Sequence, residues 1–167
     1  MRKVLRAGVV AFAALAAVLV VSAAWAGTSA ETKIVTFKGK YAGTAAVKVT
    51  DNVADISATG PGLGTLIGKS KVTGKGTGDA SQQPCVPFNG TGLMSNTKGT
   101  TIKFQVIAPS SGCGDEEGKV FSISGKAKIT GGTKLYKKAK GTLKLTGVYD
   151  RGAGSFSITF SGKITVP

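Results

Sequence analysis

Phe156-Ser157-Ile158-Thr159-Phe160-Ser161-Gly162-Lys163-Ile164-Thr165-Val166 alternates apolar and polar residues without a break. Phe156, Ile158, Phe160, Ile164 and Val166 share one face with Gly162, and Ser157, Thr159, Ser161, Lys163 and Thr165 share the other. A period of two is the pattern of a strand with one face on a core and the other in water. The stretch therefore predicts a half-buried antiparallel strand.

The same parity recurs upstream. Phe121, Ile123, Gly125, Ala127 and Ile129 alternate with Ser122, Ser124, Lys126 and Lys128, and Leu143 and Leu145 alternate with Thr142, Lys144 and Thr146. Weaker alternation marks 32–41, 44–50, 53–59, 65–73, 86–95 and 100–107, so that merging or splitting of candidates leaves about seven to ten strands. Turn residues at Asp51-Asn52, Gly60-Pro61-Gly62, Gly74 to Gly78, Asn96 to Gly99, Pro109 to Gly114 and Asp150 to Gly154 predict the connections. Glycines inside strands, such as Gly90, Gly92, Gly125, Gly147 and Gly162, suit bulges and the strong coiling of a closing sheet. With no helical periodicity after residue 26, the predicted fold is all-β: a single antiparallel β-barrel of about eight strands over 27–167, with a β-sandwich as the alternative. An immunoglobulin-like sandwich lacks its core tryptophan, since the single Trp is Trp25.

The N-terminus reads differently. Arg2, Lys3 and Arg6 precede an apolar run from Ala7 to Val21, and Ala24-Trp25-Ala26 supplies small residues two apart. This is the pattern of a secretory signal peptide over 1–26, cut after Ala26, and it predicts a secreted or extracytoplasmic mature chain with no transmembrane helix. Removing 26 of 167 residues leaves 141, enough for one domain.

Three of the 22 basic residues lie in that leader and all eight acidic ones lie beyond it, so the mature chain keeps nineteen cations and a net charge of +11. All but Arg151 are lysines, which favours diffuse attraction to polyanions over forked recognition by arginine. Anionic polysaccharides, envelope polymers and lipid head groups are the expected partners, against the plainer reading of a solvated surface that guards strand edges. Lys134, Lys137, Lys138 and Lys140 form the densest basic patch, without the interleaved aromatics of a specific nucleic-acid surface. Cys85 and Cys113 are the two cysteines, and an even pair in an exported chain predicts one structural disulfide.

The chain contains no histidine, which removes the commonest general base and most transition-metal sites; no catalytic residue, metal ligand set or cofactor is predicted. Asp115-Glu116-Glu117 is the single acidic cluster and reads as a solvated loop, without EF-hand spacing. Asn89-Gly90-Thr91 fits a glycosylation sequon.

Between two strong strands, Gly131-Gly132-Thr133-Lys134-Leu135-Tyr136-Lys137-Lys138-Ala139-Lys140-Gly141 resembles the G-G-T-G-x-[FY]-x-x-A-x-G connection of dirigent and allene-oxide-cyclase-like β-barrels. Gly131, Gly132, Thr133, Tyr136, Ala139 and Gly141 match; Lys134 stands where the family usually has Gly. The resemblance implies a barrel whose pocket orients a reactive apolar intermediate, and no charged pocket residue of the family aligns here. From the residues themselves, Tyr136 is expected to fold over a barrel mouth with its hydroxyl in water. Tyr136 and the four lysines are therefore the candidate ligand contacts. Two functions stay open: a non-enzymatic exported barrel that binds an anionic polymer or surface or a small apolar ligand, and a dirigent- or cyclase-like barrel. A membrane-spanning barrel is disfavoured by the scarcity of aromatics for interfacial girdles.

Overall fold

A computed structural model describes residues 32–167; the leader read over 1–26 and its junction at Gly27 lie outside the described residues. Eight strands follow in order: β1 Lys33–Thr50, β2 Val53–Gly64, β3 Gly68–Asp79, β4 Cys85–Ser95, β5 Thr101–Gly114, β6 Val120–Gly132, β7 Lys140–Asp150 and β8 Ser155–Val166. Each pairs antiparallel with the next, and β8 returns to β1 from Lys33↔Val166 to Thr44↔Ser155, which closes the barrel. A short 3₁₀ turn, Lys134–Tyr136, interrupts the β6–β7 connection. The predicted barrel holds and the alternative sandwich does not, because the sheet closes on itself.

Parity sets the two surfaces. On β8, Phe156, Phe160, Ile164 and Val166 point inward, while Lys163 faces out; on β6, Ala127 and Ile129 point inward between outward Lys126 and Lys128. The candidates at 32–41 and 44–50 are one strand, β1, which runs unbroken through Gly43. A Cβ on Gly43 would strike the backbone of Thr59 and Gly60, so this close crossing with β2 requires glycine. Three predicted turns are strand instead. Gly60-Pro61-Gly62 lies within β2, Gly74 to Gly78 within β3, and Pro109 to Gly114 within β5, where the ladder to β6 breaks between Ile107 and Ser111. Ser110 occupies that break: its hydroxyl donates to the Ile107 carbonyl at 2.6 Å and accepts the Lys126 amide at 3.0 Å.

The connections divide the barrel into two ends. The β2–β3, β4–β5 and β6–β7 connections, with the β1–β8 strand termini, form one end; the other four connections form the opposite end. Large side chains collect at the first end, where Phe37, Tyr41, Met94, Ile102, Ile129, Tyr136, Leu143, Phe160 and Ile164 are fully buried. Burial of each such side chain stabilises the fold by roughly 1.5–3 kcal/mol. Ring packing adds specificity: Phe160 meets Phe104 edge-on at 5.1 Å and Tyr41 at 6.0 Å. The loops above this core are tied together. Asn96 Nδ2 donates to the Ile67 carbonyl at 2.9 Å, Thr133 Oγ1 donates to the Gly99 carbonyl at 2.7 Å, and the Lys134 ammonium donates to the Lys98 carbonyl.

Candidate functional site: an apolar cup at the open end

At the other end the interior is not filled. The inward rows of β1 and β2 mix small Ala45, Ala54 and Ala58 with Val47, Val49 and Ile56, and the inward rows of β3 and β4 become glycine at Gly74, Gly76 and Gly90. Phe88 on β4 and, across the barrel, Phe121, Ile123, Tyr149, Phe156 and Ile158 supply apolar walls, over a floor of Val72, Phe104, Leu145 and Phe160. Glycine removes side-chain volume along β3 and β4, so the bulky residues beyond cannot reach across and a cavity of about 220 Å³ remains. That lies close to the roughly 300 Å³ lower bound of small-molecule clefts. Phe121 and Tyr149 are cross-strand partners on β6 and β7, with ring centroids 6.1 Å apart.

The rim is polar. Gln83 and Arg151 reach the cavity from the β3–β4 and β7–β8 connections. Asp79 accepts from Ser81 Oγ at 2.6 Å, Gln82 Nε2 at 2.7 Å and the Ser81 amide at 3.1 Å, and these bonds hold its carboxyl below the usual range. Asp115 accepts the Lys119 and Val120 amides at 2.8 and 3.2 Å, and Asp150 accepts the Ala153 amide at 2.8 Å. These carboxylates cap turns. Glu117 pairs with Lys119 at 2.6 Å, and both side chains are exposed. At the same end of the barrel, Cys85 and Cys113 face each other across the β4–β5 ladder and form the expected disulfide, with their Cα atoms 3.9 Å apart.

The candidate ligand contacts lie at the far end. Tyr136 sits in the 3₁₀ turn and is fully buried, so its ring plugs the closed end and does not cover a mouth. Its hydroxyl is not in water, and it has no hydrogen-bond partner. Burial, then the proximity of Tyr41, raises its pKa. Burial also raises that of Tyr41, an effect opposed by the 3.0 Å hydrogen bond between Tyr41 Oη and Ser70 Oγ. Lys134, Lys137, Lys138 and Lys140 are exposed around this plug, and none of them lines the cavity. Lys134 takes φ of +54°, a conformation that glycine adopts freely.

The cavity wall escaped the sequence reading for a reason visible in β3. Phe88, Phe121, Ile123, Phe156 and Ile158 were legible as inward residues, but Gly74 to Gly78 read as a turn, so the missing volume opposite them was not apparent. No protein-family model, curated protein or solved structure matches the chain.

Proposed function

We propose that this protein is an exported, non-enzymatic carrier that holds a small apolar molecule in the cup. The observation that supports this most is an apolar cavity bordered by the glycines of β3 and β4, in a barrel whose other half is packed solid. Both the signal-like leader and the disulfide fit an oxidising, extracytoplasmic setting.

The test uses N-phenyl-1-naphthylamine, a neutral fluorescent molecule that the basic outer wall does not attract. Saturable enhancement at one site per chain is expected, and Gly74→Leu, which fills the cup, is expected to abolish it. No saturable signal, or equal binding by Gly74→Leu, would refute the carrier reading.

The second reading is a dirigent- or cyclase-like barrel in which the cup orients a reactive intermediate. The closed eight-stranded barrel and the Gly131 to Gly141 connection support it. Orientation in a cup without acid or base can lower a barrier substantially. The readings separate on one result: a carrier returns its ligand chemically unchanged.

A further inference from the structure

Charge is divided along the barrel axis. Fourteen of the barrel's eighteen lysines lie on the closed half of their strands or in its loops, Lys126 sits at mid-strand, and no described acidic residue shares that half. The open half holds three lysines, Arg151 and all seven described carboxylates. No lysine of the closed half has an ion-pair partner among the described residues. Lys126 and Lys144 even stand directly opposite each other on the outer face of β6 and β7, an arrangement that costs stability in isolation.

The closed end also presents apolar side chains to solvent. Ile34 is 68 % exposed, Leu63 62 %, Leu66 55 % and Leu135 46 %. Leu66 forms the tip of the β2–β3 connection at φ of +69°, a conformation that a leucine rarely adopts. Among the described residues, no packing relieves either the backbone strain or the exposure. Lys98, Lys134, Lys137 and Lys138 stand on the neighbouring loops of the same end, which are hydrogen-bonded to one another.

Apolar tips within a lysine field match a lipid surface, where leucine enters the head-group layer and ammonium groups meet phosphate. A hydrated polysaccharide offers the lysines a partner and the leucines none. The open end has exposed valines of its own, Val49 and Val53 among them, but its carboxylates are repelled by an anionic bilayer. The protein cannot sink further, because outward lysines on the strands, such as Lys128 and Lys163, would be drawn into hydrocarbon.

We propose that the closed end of the barrel docks on the surface of an anionic lipid bilayer through Leu66, Leu135, Leu63 and Ile34 and the lysines around them, leaving the cup facing away. This surface is independent of what the cup holds.

The test is flotation of the chain from Gly27 to Pro167, the product expected after cleavage of the leader. Vesicles are phosphatidylcholine alone or with phosphatidylglycerol added, and heparin retention is run in parallel. Binding to the anionic vesicles only is expected, weakening roughly tenfold from 0.15 to 0.5 M salt. The double variant Leu66→Ser, Leu135→Ser is expected to lose about tenfold or more in vesicle partitioning while keeping its heparin retention and its melting temperature. The mouth variant Val49→Ser is expected to bind vesicles as the parent does. Heparin retention without vesicle binding, unchanged partitioning of the double variant, or a loss on Val49→Ser would overturn the proposal.

Discussion

Phe104 lies across Gly92, its direct partner on the neighbouring strand, so closely that a Cβ on Gly92 would fall inside contact distance of three ring carbons. The glycine lets the ring turn inward to meet Phe160 and form the floor of the cup. Gly92→Ala is therefore expected to destabilise the barrel by about 1–3 kcal/mol, because a rigid aromatic in a packed layer cannot step aside. Thermal unfolding checks this, with a fall in Tm of about 5 °C or more as the expected outcome.

Gly74 and Gly76 are two residues apart on the same inward row, and they should respond oppositely to the same substitution. A Cβ on Gly74 meets nothing nearer than the Thr91 carbonyl oxygen at 3.6 Å, whereas one on Gly76 runs into the Asn89 backbone. Gly74→Ala is expected to leave stability unchanged or raise it by up to about 1 kcal/mol through the unfolded chain. Gly76→Ala is expected to lower it by more than that. Equal effects in urea melts would show that the cup is not open where the geometry places it.

The disulfide pins the mouth. Cys85 and Cys113 pair beyond an irregularity in the β4–β5 ladder between Pro87 and Gly90, so the segment they hold has few regular ladder bonds between it and the rest of the hairpin. Replacing either cysteine by Ser is expected to cost up to about 3–4 kcal/mol on the loop-closure argument. Hydrogen exchange localises the effect: amides at 85–87 and 111–114 should exchange faster, and those at 93–95 and 101–103 should not. Two thiols titrating in the unreduced, denatured chain would rule out the bond.

Tyr41 and Tyr136 make the barrel sensitive to alkali. Their folded pKa values are raised, so the folded state holds their protons more tightly than the unfolded chain does. This stabilisation is fully present below the unfolded tyrosine pKa near 10 and is lost as pH rises through the folded values. Tyr136→Phe removes a buried hydroxyl without a partner and is expected to raise stability by about 1 kcal/mol. It should also reduce the loss of stability above pH 10, measured by urea melts at stepped pH.

The parity of Phe156 to Val166 located β8 nearly residue for residue, because a half-buried strand writes its two faces into alternate positions. The cysteine pairing was legible for a chemical reason, two thiols in a chain whose N-terminus reads as an export signal. Gly74 to Gly78 was not legible as strand. Inward glycines carry no apolar signal, and their composition is that of a loop until the partner rows at Ala58 and Gly92 are known. Tyr136 was placed at the wrong kind of end for a related reason. A local motif puts an aromatic over one end of a barrel, but whether that end is open depends on where Phe37, Ile102, Ile129 and Phe160 collect, four residues from four strands.

Seven of the eight ladders join strands that are neighbours in sequence, and a single seam, β1 with β8, joins residues more than a hundred positions apart. Folding can therefore proceed by successive local hairpins, each closing a short loop, with the entropic cost of long-range closure concentrated in one step. Kinetically, this topology predicts a ribbon that coils before it is sealed. Substitutions along the seam, at Phe37 or Phe160 for example, act on the last barrier, whereas those inside the hairpins act on the early ones.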